Sequence, residues 1–189
     1  MLLNRETTGV SLMTNRRYLW LAMLTAASLI FSYGLACAAP MAAFAAIGAL
    51  TLPRREAVIL VVAVWLANQL AGFVLLDYPT SANSIAWGVV IGVAALAGLV
   101  AAQIVAARMA NQNPIALWIS AFLAAFVVYQ IALFIPGVVA LGGLASFAPA
   151  VVLEVFLLNA MAFAGLAGFH RIGIATGFVD ASDARSLTA

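Results

Sequence analysis

One acidic residue, Glu154, lies inside an otherwise apolar stretch of the chain and has the side chain best suited to chemistry. Its neighbours between Val151 and Phe156 are all aliphatic or aromatic. An ionisable group in an apolar, membrane-embedded segment is energetically costly and marks a functional position by default. Glu154 could bind a cationic group, carry a proton or accept hydrogen bonds from a ligand. The alternative is that it pairs with Gln130 or Asn68 for packing alone, and we favour the functional role.

A second group of polar residues falls on one face of a predicted helix. Trp65, Asn68, Gln69 and Gly72 are spaced i, i+3, i+4 and i+7, which brings them to the same side. Hydrogen bonds between packed helices would explain Asn68, Gln69 or Gln130 singly. As a set at one depth, together with a carboxylate, they predict the wall of a polar cavity that opens outward. The predicted ligand-binding residues are Glu154, Asn68, Gln69, Gln130, Tyr129, Trp65, Trp87 and Asp77.

The composition is that of a membrane protein. Hydrophobic residues make up 67% of the chain and charged residues 7%, whereas a soluble domain has about 45–50% apolar and about 25% charged residues. A net charge of +2 leaves no basic face for nucleic acid. The single Cys37 excludes an internal disulfide framework, and with one histidine, His170, we expect no metal site. No nucleotide-binding or hydrolase motif is present, so we expect neither an enzyme nor a cofactor.

Apolar segments between short polar turns predict an all-α, polytopic bundle of six transmembrane helices. The bundle spans residues 18–170, between a cytoplasmic N-terminal segment, 1–17, and a cytoplasmic tail, 171–189. The charge-free stretch from Tyr18 to Leu52 is 35 residues long, too long for one crossing of a core about 30 Å thick, and Pro40 divides it. Segment 136–149 is rich in Gly and Pro and predicts a loop or re-entrant turn. The predicted spans are 18–36, 39–52, 57–76, 84–107, 115–135 and 150–169.

The arginines predict the orientation of these spans. With both termini inside, all eight fall on the cytoplasmic side, as the positive-inside rule requires. The location is then the cell (inner) membrane, and the polar residues above concentrate toward the outer side. A signal peptide cleaved near Ala36-Cys37-Ala38 is the alternative for the first span; its apolar run is longer than usual, so we expect it uncleaved. Met13 is a possible start, since Arg16 and Arg17 would still anchor the span.

Six spans of this size, with the small-residue motif Ala22-x-x-x-Ala26 in the first, resemble the substrate-binding S components of energy-coupling-factor vitamin and metal transporters. In that family a motif of this kind docks the transmembrane coupling subunit. The resemblance implies a bilayer-embedded module that captures a small nutrient outside the cell. It also implies as partners a separate coupling subunit and paired ATPases, with Ala22 and Ala26 as the subunit contact. The long loop and the short second span depart from the family pattern.

Two other functions remain open from the sequence. The chain could be a non-transporting assembly or anchoring subunit, whose helices serve only packing, or a small proton- or cation-coupled transporter that uses Glu154 as the carrier. Ligand binding by the isolated protein separates capture from anchoring. Dependence of uptake on a proton gradient rather than on ATP identifies the coupled transporter.

Overall fold

The described part of the chain is entirely helical. The computed structural model describes residues 19, 22–26 and 39–176, and its main helices are α1 Met41–Thr51, α2 Arg54–Leu70, α3 Ala82–Arg108, α4 Pro114–Pro136 and α5 Pro149–Ala175. The predicted all-α fold is confirmed for these residues. Most of the first predicted span, with Trp20 and Cys37, and tail residues 177–189 lie outside the described residues.

Within the described residues, four helices are long and apolar enough to cross a membrane. They are Arg54–Leu75, which includes a π-helical turn after α2, Ala82–Arg108, Pro114–Leu141, which includes a π-helical turn after α4, and Pro149–Ala175. Their lengths of 22, 27, 28 and 27 residues exceed the roughly 20 residues that a transmembrane helix needs. These four helices indicate a membrane protein.

The helix starts follow from local sequence. Ser81 caps α3 by accepting a hydrogen bond from the Ser84 amide, and Asn113 caps α4 by accepting one from the Ile115 amide at 2.8 Å. Pro114 and Pro149 occupy the first helical positions of α4 and α5, where the missing N–H of proline removes no intrahelical bond. The helix α5 continues to Ala175, beyond the predicted end at Phe169, and so takes Arg171 into its last turns.

The short helix α1 lies at the centre of the bundle. All of its residues are buried, and it contacts each of α2, α3, α4 and α5. Its sequence is apolar on every side, as is typical of a fully buried helix. Five alanines and one glycine among its eleven residues allow the surrounding helices to approach closely. At about 1.5 Å per residue α1 is roughly 16 Å long, about half the thickness of the hydrocarbon core.

Small residues also bring the outer helices together. A Cβ added at Gly98 of α3 would lie 2.9 Å from the carbonyl oxygen of Ala125 in α4, so only glycine permits this approach. On the α4–α5 side the contact is aromatic instead, with Phe122 stacked on Phe163 at a centroid separation of 4.9 Å. Leu24, from the described part of the first predicted span, is fully buried in the same core.

Candidate functional site

A cavity of about 420 Å³ lies at one end of the bundle. This volume is within the range of about 300–1,000 Å³ that is usual for small-molecule sites. The cavity is lined by residues from the start of α1, from the late turns of α2 and α4, and from the early turns of α3 and α5. Its lining residues are Ala39, Met41, Asn68, Trp87, Ile91, Tyr129, Gln130, Leu133, Gly143, Ser146, Phe147, Val151, Val155, Leu158 and Asn159.

The cavity and the arginines of the described chain lie at opposite ends of the bundle. Arg54 and Arg55 begin α2, Arg108 ends α3, and Arg171 lies in the last turns of α5. The cavity takes its residues from the other end of each of these helices. No charged side chain of the described residues lines it. The site is therefore neutral, with amide, hydroxyl and indole groups spaced among apolar ones.

Asn159 fixes the start of the buried helix α1 against α5. Its side-chain oxygen accepts a hydrogen bond from the Ala43 amide at 3.2 Å, and its side-chain nitrogen donates to the Val155 carbonyl at 2.9 Å. Asn159 is 3% exposed. The Ala43 amide belongs to the first turn of α1 and also donates to the Pro40 carbonyl at 3.0 Å, so Asn159 is its second acceptor. Asn159 therefore ties the start of α1 to α5 in the wall of the cavity.

Tyr129 is the second buried polar residue of this wall. It is 7% exposed and lines the cavity from α4. Among the described residues its hydroxyl has no hydrogen-bond partner. Buried tyrosine hydroxyls usually find such a partner. The Tyr129 hydroxyl is therefore an available donor and acceptor at the cavity.

The segment between α4 and α5 closes part of the cavity. Gly143, Ser146 and Phe147 of this segment are among the lining residues. Gly142 and Gly143 have φ values of +75° and +84°, positive values that glycine adopts without steric cost. The Phe147 ring packs edge-on against Phe134 with centroids 5.2 Å apart. The predicted loop 136–149 is thus a short folded cover containing a π-helical turn, Gly137–Leu141, and a 3₁₀ turn, Leu144–Phe147.

A second, smaller cavity of about 250 Å³ adjoins the first. Asn68, Trp87 and Ile91 line both, so these side chains form the partition between them. Gln69 and Tyr78 line the second cavity and not the first. The Gln69 side chain lies against Gly88, where an added Cβ would meet its oxygen at 2.5 Å.

The predicted site residues form three groups: those that line the two cavities, Trp65, which joins two helices, and the carboxylates Glu154 and Asp77. Four of them, Asn68, Trp87, Tyr129 and Gln130, share the 420 Å³ cavity, and Gln69 lines the adjoining one. Trp65 instead joins two helices: its indole N–H donates to the Gly88 carbonyl at 2.8 Å, and its ring fills the space beside Gly92.

Glu154 and Asp77 line neither cavity, and both are exposed. On α5 the residues Val151, Val155, Leu158 and Asn159 line the cavity, and Glu154, at the edge of this face, is exposed outside it. Asp77 follows the π-helical turn after α2 with a φ of +50°, a conformation that aspartate tolerates better than most residues. The structure does not bring the two carboxylates together with the polar side chains of the cavity.

Two parts of the cavity were not among the predicted site residues. Asn159 is the only other polar side chain near Glu154 in the same apolar segment, so its type and place were a usable signal. The cover residues Ser146 and Phe147 lie in a segment predicted as loop, and no periodicity relates them to the helices. Among the described residues no group of three or more His, Cys, Asp or Glu could hold a metal ion. The arrangement is suited to binding an organic molecule.

Neither a scan against protein-family models nor searches of curated proteins and of solved structures found a match to this chain.

Proposed function

We propose that this protein is a multi-pass membrane protein that captures a small organic nutrient, of the vitamin class, and takes part in its uptake. The observation that carries the proposal is the neutral 420 Å³ cavity lined by Asn68, Trp87, Tyr129 and Gln130. Ligand sites are typically mostly apolar, with a few convergent polar groups that fix the ligand's orientation. A subunit that served only for anchoring would have no need of an internal cavity of this size.

The proposed topology is six crossings, the second made by the short helix α1 together with the chain that precedes it, with both termini in the cytoplasm of the cell and the cavity facing outward. Its support is the position of the described arginines, at the bundle end opposite the cavity. Positively charged residues favour the cytoplasmic side. In this orientation a molecule outside the cell would reach the cavity without first crossing the bilayer.

We further propose that uptake requires a separate coupling subunit and ATPases, as in the energy-coupling-factor transporters that the sequence resembles. The described helical residues 22–26 support this arrangement. Leu24 is fully buried in the core, whereas Ala22 and Ala26 are exposed. Two small side chains on an outward surface allow another helix to approach closely.

The experiment is a binding and uptake measurement on the full chain. A panel of water-soluble vitamins is screened for an increase in melting temperature of the detergent-solubilised protein, because a ligand that binds only the folded state stabilises it. A hit is then followed by uptake of the radiolabelled compound into cells with and without ATP depletion. We expect Gln130→Leu to abolish the thermal shift, and Gln103→Leu, at a position that lines neither cavity, to leave it unchanged.

Three outcomes decide the proposal. The absence of any thermal shift and any uptake would contradict it. Uptake that depends on a proton gradient and is lost in Glu154→Gln would favour the coupled-transporter alternative. Copurification of an ATPase-bearing complex from native membranes would support the coupling subunit, and its loss in Ala22→Leu or Ala26→Leu would support the docking surface.

A further inference from the structure

The start of α1 is a helix N-terminus enclosed within the protein, and it forms part of the cavity wall. Ala39 and Met41 line the cavity, and each residue from Met41 to Thr51 is buried. The aligned peptide dipoles of a helix give its N-terminus about half a positive charge. Inside a cavity with low-dielectric walls this partial charge is screened less than at an open protein surface.

Tyr129, in the wall of the same cavity, adds an independent observation. Its side chain is 7% exposed, lines the same cavity and has no hydrogen-bond partner among the described residues. The hydroxyl is therefore free to bond a molecule in the cavity, and the Tyr129 O–H can donate to an acceptor atom of a ligand.

We propose that the ligand carries a carboxylate that binds between the N-terminus of α1 and the Tyr129 hydroxyl. The inference rests on the proposed function, because it assigns the ligand class of the same cavity. Carboxylates are bound at helix N-termini in this way in both soluble and membrane proteins. None of the described lining residues is acidic, so nothing in the wall repels an anion.

The rest of the lining defines the body of the ligand. The lining also includes Trp87, Phe147, Val151 and Val155, which offer aromatic and aliphatic surfaces. The absence of an arginine or lysine from the described lining residues means that the carboxylate is held by dipoles and hydrogen bonds instead of by an ion pair. The assigned ligand is therefore a small monocarboxylate with an apolar, partly aromatic body.

The test compares acids with their amides, which have almost the same shape and no charge. The probes are a library of arylalkyl carboxylic acids, among them phenylacetate, 4-phenylbutyrate and indole-3-acetate, paired with the corresponding primary amides. Binding to the detergent-solubilised full chain is measured by thermal shift and by titration calorimetry. We expect acids from the library to bind and their amide partners to bind at least about tenfold more weakly, the difference expected when a charged hydrogen-bond acceptor becomes neutral.

Two variants test the placement of the carboxylate. Tyr129→Phe removes only the hydroxyl, which has no partner among the described residues, so the protein should fold normally. It should weaken acid binding by about ten- to a hundredfold, the range for a lost hydrogen bond to a charged group. Tyr78→Phe, at a residue absent from this cavity's lining, is the control and should leave acid binding unchanged. Asn159→Asp keeps the acceptor for the Ala43 amide and adds a negative charge, so it should weaken the acids more than the amides.

The outcomes separate this inference from the proposed function. If amides bind as tightly as acids, or if Tyr129→Phe leaves acid binding unchanged, the carboxylate assignment is overturned while the cavity remains a binding site. If neither acids nor amides bind but the vitamin panel yields a neutral or cationic ligand, the assignment is again overturned and the proposed function stands. If nothing binds in either screen, both are wrong.

Discussion

Replacing Gly98 with alanine tests the closest approach between two helices of the bundle. Gly98 lies in the middle of α3, and an added Cβ would be 2.9 Å from the Ala125 carbonyl oxygen and 3.7 Å from the Ala125 Cα. The obstructing atoms belong to backbone, so they cannot move aside as a flexible side chain would. The two helices must therefore separate locally.

The expected difference in the free energy of unfolding follows from a matched pair of substitutions. Gly165 also lies inside a long helix, α5, and a Cβ added there would meet nothing within 4 Å. Glycine to alanine inside a helix stabilises by up to about 1 kcal/mol, and this gain is common to both sites. Inserting a methyl group into closely packed structure costs about 1–3 kcal/mol, and this cost applies only to Gly98. We therefore expect Gly98→Ala to be less stable than Gly165→Ala by about 1–3 kcal/mol.

The assay is reversible unfolding of both variants in mixed micelles at increasing SDS, followed by circular dichroism. Gly165→Ala should unfold at the wild-type SDS fraction or above it, and Gly98→Ala below it. Equal stability of the two alanine variants would refute the helix contact at Gly98. A loss of stability in Gly165→Ala would instead show that α5 has a covering partner absent from this structure.

Two further predictions follow from single hydrogen bonds, and a third follows from the positions of the arginines. Asn159→Ala should lower the free energy of unfolding in mixed micelles by about 1 kcal/mol, because a buried amide at the start of α1 loses one of its acceptors. Trp65→Phe should lower it by about 0.5–1.5 kcal/mol through the lost indole hydrogen bond, with no change in ligand affinity by calorimetry. On a Cys37→Ala background, an impermeant maleimide should label Ser81→Cys in intact cells and Gln112→Cys only after permeabilisation; the reverse pattern would overturn the proposed orientation.

The helices were predictable because both their hydrophobicity and the capping or helix-breaking residues at their ends indicate them. Long apolar runs bounded by Pro, Asn and Ser gave three of the spans to within a few residues, and the caps at Ser81 and Asn113 explain those boundaries. The short segment 39–52 was predicted as a span, and the helix found there, Met41–Thr51, is too short to cross a bilayer. Its central position could not be predicted, because an all-apolar helix gives no periodic signal for what surrounds it.

The cavity-lining residues were predictable only where a polar or aromatic side chain also lay at the same depth as the other polar residues. Asn68, Tyr129, Gln130 and Trp87 come together because alternating helix direction places them at one end. The rotation of each helix about its axis was not predictable, since the apolar faces of α3, α4 and α5 are nearly uniform. Hence Glu154, at the expected depth, is exposed at the edge of the cavity-lining face of α5.

The length of α1 sets the depth of the cavity. Its C-terminal end runs directly into Pro53 and the exposed Arg54, a charged residue that belongs at the membrane surface. A helix of roughly 16 Å that ends there begins near the middle of a core about 30 Å thick. Extending α1 by one turn would advance its start by about 5.4 Å into the space now lined by Tyr129 and Asn159. Because Met41–Thr51 is too short to span the membrane by itself, it leaves the space of the cavity beyond its first turn, with its N-terminus in the cavity wall.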